Sequence, residues 1–192
     1  RELDDKIADG SINQETEWSI AERLEEIRAE HPEYRGLSFA TIAGYAGNGA
    51  IVHYEATAED HAPLANKSFL LLDSGAHYVS GTTDITRTIP IGTPTVAQIR
   101  DFTLVLQAHI ALACAVFPDG IAAPMIDAIC RAPLWQAQRD YGHGTGHGVG
   151  YFLNVHEPPQ RISYFAPNTP EYALHQGMLT SNEPALYRPN QW

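Results

Sequence analysis

Residues 69–88 read FLLLDSGAHYVSGTTDITRT, and the fold turns on how this stretch is read. An apolar run from Phe69 to Leu72 ends in Asp73, Ser74-Gly75 and Ser80-Gly81 mark turns, and a β-branched run follows at residues 82–86. Apolar and β-branched runs bounded by Gly and Ser read as strands. Two strands joined by a short turn lie side by side, so Asp73 and Asp84 can meet although eleven positions separate them. Asp gains little from a pleated, half-buried surface, and a buried carboxylate is costly unless paired or bound to metal. Two carboxylates converging in one hairpin therefore suggest a cation between them. Taken singly, Asp73 reads equally well as a turn cap and Asp84 as a solvent-facing residue.

Some sixty residues on, residues 141–158 read YGHGTGHGVGYFLNVHEP. His143, His147 and His156 fall within fourteen residues, among glycines that let a backbone approach a ligand closely. Imidazole is the commonest metal ligand and a frequent acid or base. Glu183, in TSNEP at residues 180–184, adds a carboxylate on a segment, residues 178–181, that reads as a strand. Two Asp, one His and one Glu form a hard, carboxylate-rich donor set without thiolates. Such a set suits Mn²⁺ and tolerates Zn²⁺ or Co²⁺.

Outward from these segments, Thr16 caps a helix over residues 16–29, with Ile20, Leu24 and Ile27 on one buried face and Pro32 beyond its end. Residues 38–43 and 50–54 read as short strands around a loop at 44–49, and residues 55–67 as a surface connection. Thr95 and Gln98 form a capping box for a helix whose buried face carries Ile99, Phe102, Leu106, Ile110 and Ala113. Pro124 could start a further helix, which Pro133 should break or restart.

The 192 residues suffice for one well-buried domain or two small ones. A net charge of -11 argues against nucleic acid, which needs a basic footprint. No apolar stretch reaches the roughly 20 residues of a membrane helix. Cys114 and Cys130 have neither metal nor redox spacing and read as buried thiols of a reducing, cytoplasmic compartment.

The segments LLLDSGAHYVSGTTDITRT, GHGTGHGVGYFLNVHEP and GMLTSNEPALY resemble those of the Xaa-Pro aminopeptidases (aminopeptidase P) of the pita-bread metallopeptidases, in the family's order. NGAIVHY, residues 48–54, is similar to the family's segment with a substrate-side histidine, and the likeness runs over about residues 16–192. The resemblance implies an α/β pita-bread fold of two pseudo-symmetric halves, with helices flanking a curved antiparallel sheet. It implies that Asp73, Asp84, His147 and Glu183 hold two divalent metal ions, Mn²⁺ foremost, and that His53, His143 and His156 line the substrate site. Residues 1–192 are then expected to be one catalytic domain without the family's N-terminal domains. The family's fifth ligand, a second glutamate, is expected beyond Trp192, so the chain alone should be inactive.

The implied reaction is hydrolysis of the Xaa-Pro bond of peptides with proline in second position, with a homodimer left open. Glu183 would take the water's proton, His156 would stabilise the oxyanion, and His53 would protonate the leaving proline nitrogen. A proline dipeptidase of the same fold is the nearest alternative, with Arg87 or Arg161 as candidates to capture a C-terminal carboxylate. A non-catalytic pita-bread binding module and a metal-free creatinase-like hydrolase are disfavoured by the four intact ligand positions.

Overall fold

The computed structural model describes residues 2–65 and 67–192; Arg1 and Asn66, the latter inside the expected connection 55–67, lie outside the described residues. The chain groups into two compact units, one running to Thr95 and including Tyr187–Trp192, the other Val96–Leu186.

The first unit opens with α1 (Glu2–Asp9), which the sequence reading had not assigned, and continues to α2 (Glu17–Ala29). Thr16 caps α2 as expected, its hydroxyl accepting from the Ser19 N–H while the Ser19 hydroxyl accepts from the Thr16 N–H. Ser19 thus plays the reciprocal part usually taken by Glu or Gln. Ile20 is buried and Leu24 packs against the core, but Ile27 is 43% exposed, so the buried face ends a turn earlier than expected.

Strands β1 (Tyr34–Leu37), β2 (Ile42–Tyr45), β3 (Ser68–Ser74), β4 (Ala76–Tyr78), β5 (Gly81–Thr82) and β6 (Ile85–Ile91) form two antiparallel sheets. One has the order β2-β3-β6 and the other β1-β4-β5. The expected hairpin is therefore real, since β3 pairs with β6 from Ser68↔Ile91 to Ser74↔Ile85. Its connection is longer than a turn, because β4 and β5 leave to pair in the second sheet. Pro90 stands on β6, the outer strand of the β2-β3-β6 order, where proline is better tolerated than on a central strand. Central β3 buries Phe69, Leu70 and Leu72, and Leu70 and Leu72 join Ile12, Ile20, Ala43, Tyr45, Leu64 and Ile91 in one core.

The expected strands at 38–43 and 50–54 are corrected: only residues 42–43 enter β2, and a 3₁₀ helix, Ala46–Ala50, leads into a turn. Glycine drives the change. A Cβ on Gly44 would lie 2.8 Å from Gly49, so the chain folds back on itself where side chains would forbid it. Glu17 then fastens this loop. Its fully buried carboxylate accepts from the N–H of Tyr45 at 2.6 Å, the N–H of Ala62 at 2.7 Å, the Tyr54 hydroxyl at 2.8 Å and the Asn48 amide at 3.1 Å.

The second unit packs α3 (Val96–Ala113) against α4 (Asp127–Gln136), preceded by a 3₁₀ turn, Ala123–Ile126, that contains Pro124. Here the expected face of α3 is corrected. Ile99, Phe102, Leu106 and Ile110 are 45–52% exposed, while Gln98, Asp101, Ala108 and Leu112 are buried. Small residues decide the contact: Ala108 and Cys130 let the helices close until the Cys130 thiol donates to the Ala108 carbonyl at 3.4 Å. Pro133 sits inside α4 without breaking it, because Cys130, Arg131 and Leu134 anchor the helix by burial around it. Strands β7 (Gly146–Gly148) and β8 (Glu157–Ile162) pair antiparallel. No helix among the described residues is long and apolar enough to cross a membrane.

Both cysteines are free, but only Cys130 is buried; Cys114 is exposed, which corrects the expectation of two buried thiols. Burial pushes the Cys130 thiol up to about 11. Near pH 8 a thiol reagent should therefore modify Cys114 alone in native buffer and both cysteines in denaturant. Modification of both in native buffer would show that the α3–α4 contact opens readily.

Candidate active site

In the first unit, Asp73 lies on central β3, opposite Ile42 of β2 and Thr86 of β6. Asp84 stands two residues before Thr86, in the short link between β5 and β6 rather than within a strand. Both carboxylates thus belong to the same end of the β3–β6 ladder. His53 is exposed and holds a left-handed backbone (φ 59°), directly before the Tyr54 that Glu17 anchors.

In the second unit three chain segments run side by side. β7 pairs with β8 on one edge. On the other edge Gly148 bridges Thr180, the Ser181 N–H donates to the His147 carbonyl at 2.8 Å, and the Glu183 N–H donates to the Thr145 carbonyl at 2.8 Å. The expected strand before Glu183 is therefore present as pairing along residues 180–183, without the length of a regular strand. Close approach explains the glycines flanking His147. A Cβ on Gly146 would lie 2.2 Å from the Ser181 carbonyl oxygen, and one on Gly148 would lie 2.2 Å from that of Glu157.

This pairing brings three of the expected residues together. His147 Nε2 lies 3.0 Å from Glu183 Oε1, and the His156 ring stands edge-on to the His147 ring at 4.2 Å between centroids. His143 rests against Tyr141 in the same glycine-rich loop, ring centroids 5.0 Å apart. Ser181 ties the first pair: its hydroxyl accepts from the His147 N–H at 2.9 Å and donates to Glu183 Oε1 at 2.6 Å. Sequence reasoning missed Ser181, although its place two residues before Glu183 puts both on one face of an extended segment.

Because His147 Nδ1 faces the Gly148 carbonyl at 2.8 Å, Nδ1 carries a hydrogen, and Nε2 is the nitrogen turned to Glu183. A lone pair and a carboxylate oxygen 3.0 Å apart repel unless a proton or a shared cation lies between them. Donors around one divalent ion, with bonds of about 2.0–2.2 Å, sit roughly 3 Å from each other. The His147–Glu183 pair therefore fits a metal, and the backbone carbonyl behind His147 fixes its tautomer as metal-ligating histidines require.

The sequence profile of metallopeptidase family M24 matches residues 2–192, and the chain belongs to this family. Its fold is the pita-bread fold, a mixed α/β arrangement of antiparallel sheets and helices. Among particular proteins, it is 50% identical over 92% of its length to a probable Xaa-Pro aminopeptidase P of Coprinopsis cinerea, covering 28% of that protein. It is 49% identical to aminopeptidase P2 of Arabidopsis thaliana, with 90% of this chain and 24% of that one covered. The solved X-prolyl aminopeptidase of Caenorhabditis elegans, described as a cytosolic enzyme with a di-nuclear active site, superposes with a TM-score of 0.86 at 40% identity, over 92% of this chain and 28% of that one. The prolidase of Pyrococcus furiosus superposes at 0.80 with 30% identity, over 99% of this chain and 55% of that one. The chain thus spans roughly a quarter of the length of the curated relatives it matches.

Gly146→Ala should force β7 away from Ser181 and destabilise the protein by about 3 kcal/mol, the upper range for overpacking. Gly142→Ala, where an added Cβ meets nothing within 4 Å, should be near neutral. Chemical denaturation of the two variants checks this; equal stability would show that β7 does not need the close approach.

Proposed function

We propose that this chain carries the metal-binding and substrate-contacting centre of an Xaa-Pro aminopeptidase, acting on peptides with proline in second position. The observation that carries the reading is the 3.0 Å approach of His147 Nε2 to Glu183 Oε1, with Nδ1 already committed to the Gly148 carbonyl. Identities of 49–50% to aminopeptidase P proteins, against 30% to the Pyrococcus prolidase, favour the aminopeptidase over the dipeptidase. We extend to this chain the cytosolic setting of the C. elegans enzyme.

In this reading Asp73, Asp84, His147 and Glu183 hold two divalent ions, Mn²⁺ foremost. Such ions would polarise the scissile carbonyl and lower the pKa of a bound water to about 7. Glu183 receives the proton of the attacking water, with Ser181 steadying one carboxylate oxygen. His156, set edge-on to His147, donates to the oxyanion that develops on the carbonyl. His53, on its exposed turn, passes a proton to the departing proline nitrogen, which cannot leave as an anion. His143 lines the space for the proline ring. Proline gives the scissile amide no N–H, so recognition rests on the shape of that space rather than on backbone pairing.

In the full-length protein, Asp84→Asn should abolish turnover with the fold intact. His147→Ala should lower bound Mn²⁺, whereas His156→Ala should keep the metal and lower kcat by about 10²–10³. Metal analysis beside kinetics on an Xaa-Pro dipeptide and an Xaa-Pro-Yaa tripeptide separates the cases. Cleavage of the dipeptide alone would make the protein a proline dipeptidase, and equal metal loss in both histidine variants would refute the division of roles.

A further inference from the structure

The second unit buries one complete ion pair that the proposed chemistry does not use. Arg131 of α4 is 0% exposed, and so is Asp127 one turn before it. The Arg131 Nε–H donates to Asp127 Oδ2 at 2.9 Å, and one terminal nitrogen donates to Asp140 at 2.6 Å and to the Tyr141 carbonyl at 2.8 Å. The other terminal nitrogen donates to the His143 carbonyl at 2.7 Å. The guanidinium carbon lies 3.8 Å above the Tyr141 ring and 4.5 Å from that of Tyr164. Asp127 spends its remaining capacity on the Tyr164 N–H at 2.7 Å and on the Thr145 hydroxyl.

Thr145 is where this cluster meets the candidate site. Its hydroxyl donates to Asp127 and receives a hydrogen bond from the Tyr141 hydroxyl, whose proton burial makes harder to lose. Its N–H donates to the Ile162 carbonyl at 2.8 Å, and its carbonyl receives the Glu183 N–H at 2.8 Å. It stands two residues before His147 and two after His143, and is itself 0% exposed. A core fixed only by apolar contact needs none of this. Breaking a buried pair leaves an uncompensated charge, so α4 and residues 141–145 are locked in one arrangement.

We propose that Asp127 and Arg131, acting through Thr145, are positioning residues: they set the loop from Tyr141 to His147 so that His147 and Glu183 meet a divalent ion together. The idea rests on the metal-binding reading above, and it assigns the α4 ion pair a part in affinity rather than in fold stability alone. Partners one layer behind metal ligands commonly change affinity by about 10–100-fold when removed.

The test is a Mn²⁺ titration of the metal-free full-length protein, with kcat and KM measured beside it. Thr145→Val keeps the volume, removes the hydroxyl, and should weaken Mn²⁺ binding by about 10–100-fold. Thr145→Ser restores the hydroxyl and should stay within about 3-fold of the wild type, following the rescue logic of a conserved donor. Tyr141→Phe, which opens no cavity, should weaken binding about 3-fold or more and serves if Thr145→Val does not fold. Leu134→Ala removes a buried α4 side chain outside the cluster, so it should lower the melting temperature but leave Mn²⁺ affinity and kcat unchanged. Unchanged affinity in Thr145→Val and Tyr141→Phe, or an equal loss in Leu134→Ala, would overturn the proposal. A wild type that binds Mn²⁺ yet cleaves no Xaa-Pro peptide would refute the peptidase reading and leave the positioning result standing.

Discussion

Backbone pairing at a single residue organises the second unit. Thr145 gives its N–H to β8 and its carbonyl to Glu183, so a strand edge and the 180–183 segment take their register from the same peptide. Register errors move every side chain to the wrong face, and here they would carry His147 away from Glu183. Glycine on both sides of His147 is what lets the three segments close to bonding distance. The imidazole is thereby delivered by main-chain geometry, and Ser181 has only to hold a carboxylate already in place.

The two units solve a shared problem with opposite charges. Loops rich in glycine, on which the proposed site residues stand, offer little apolar surface to hold them. In the first unit a buried anion, Glu17, gathers donors from Tyr45, Asn48, Tyr54 and Ala62 around the turn with His53. In the second a buried cation, Arg131, gathers the carbonyls of Tyr141 and His143. A lone buried ion is costly, and each loop supplies the polar groups that offset that cost. Neither the loop nor the ion is stable in its position without the other.

What the sequence disclosed follows from this division. Signals with a local cause were readable: the Thr16 cap, the β3–β6 pairing, and the histidine–glycine run that marks the site. Three readings failed for non-local reasons. On α3 the larger apolar side chains outline a face, yet packing against α4 selected the face where Ala108 permits close contact. Residues 50–54 look β-branched enough for a strand, but Gly44 and Gly49 bring the chain back before one can form. Pro133 reads as a helix breaker, and the buried neighbours on either side outweigh one missing hydrogen bond. The aspartates, histidines and glutamate proposed for the site stand out in the sequence because their chemistry is unusual for their positions. Ser181 and Thr145 were not, since hydroxyls in loops are ordinary and only their partners give them meaning.

Glu17 has an evolutionary consequence. Its carboxylate accepts from two backbone N–H groups and two side chains at once, so its effect on stability cannot be divided among independent pairs. Asn48 and Tyr54 are accordingly held as donors while the acid remains, and the acid can be exchanged only together with them. Related sequences should therefore vary at positions 17, 48 and 54 as a set, with intermediates confined to backgrounds stable enough to carry an unmatched polar group. The turn bearing His53 inherits that restriction because His53 directly precedes Tyr54, which makes the spacing from residue 17 to residue 54 a slowly changing part of the chain.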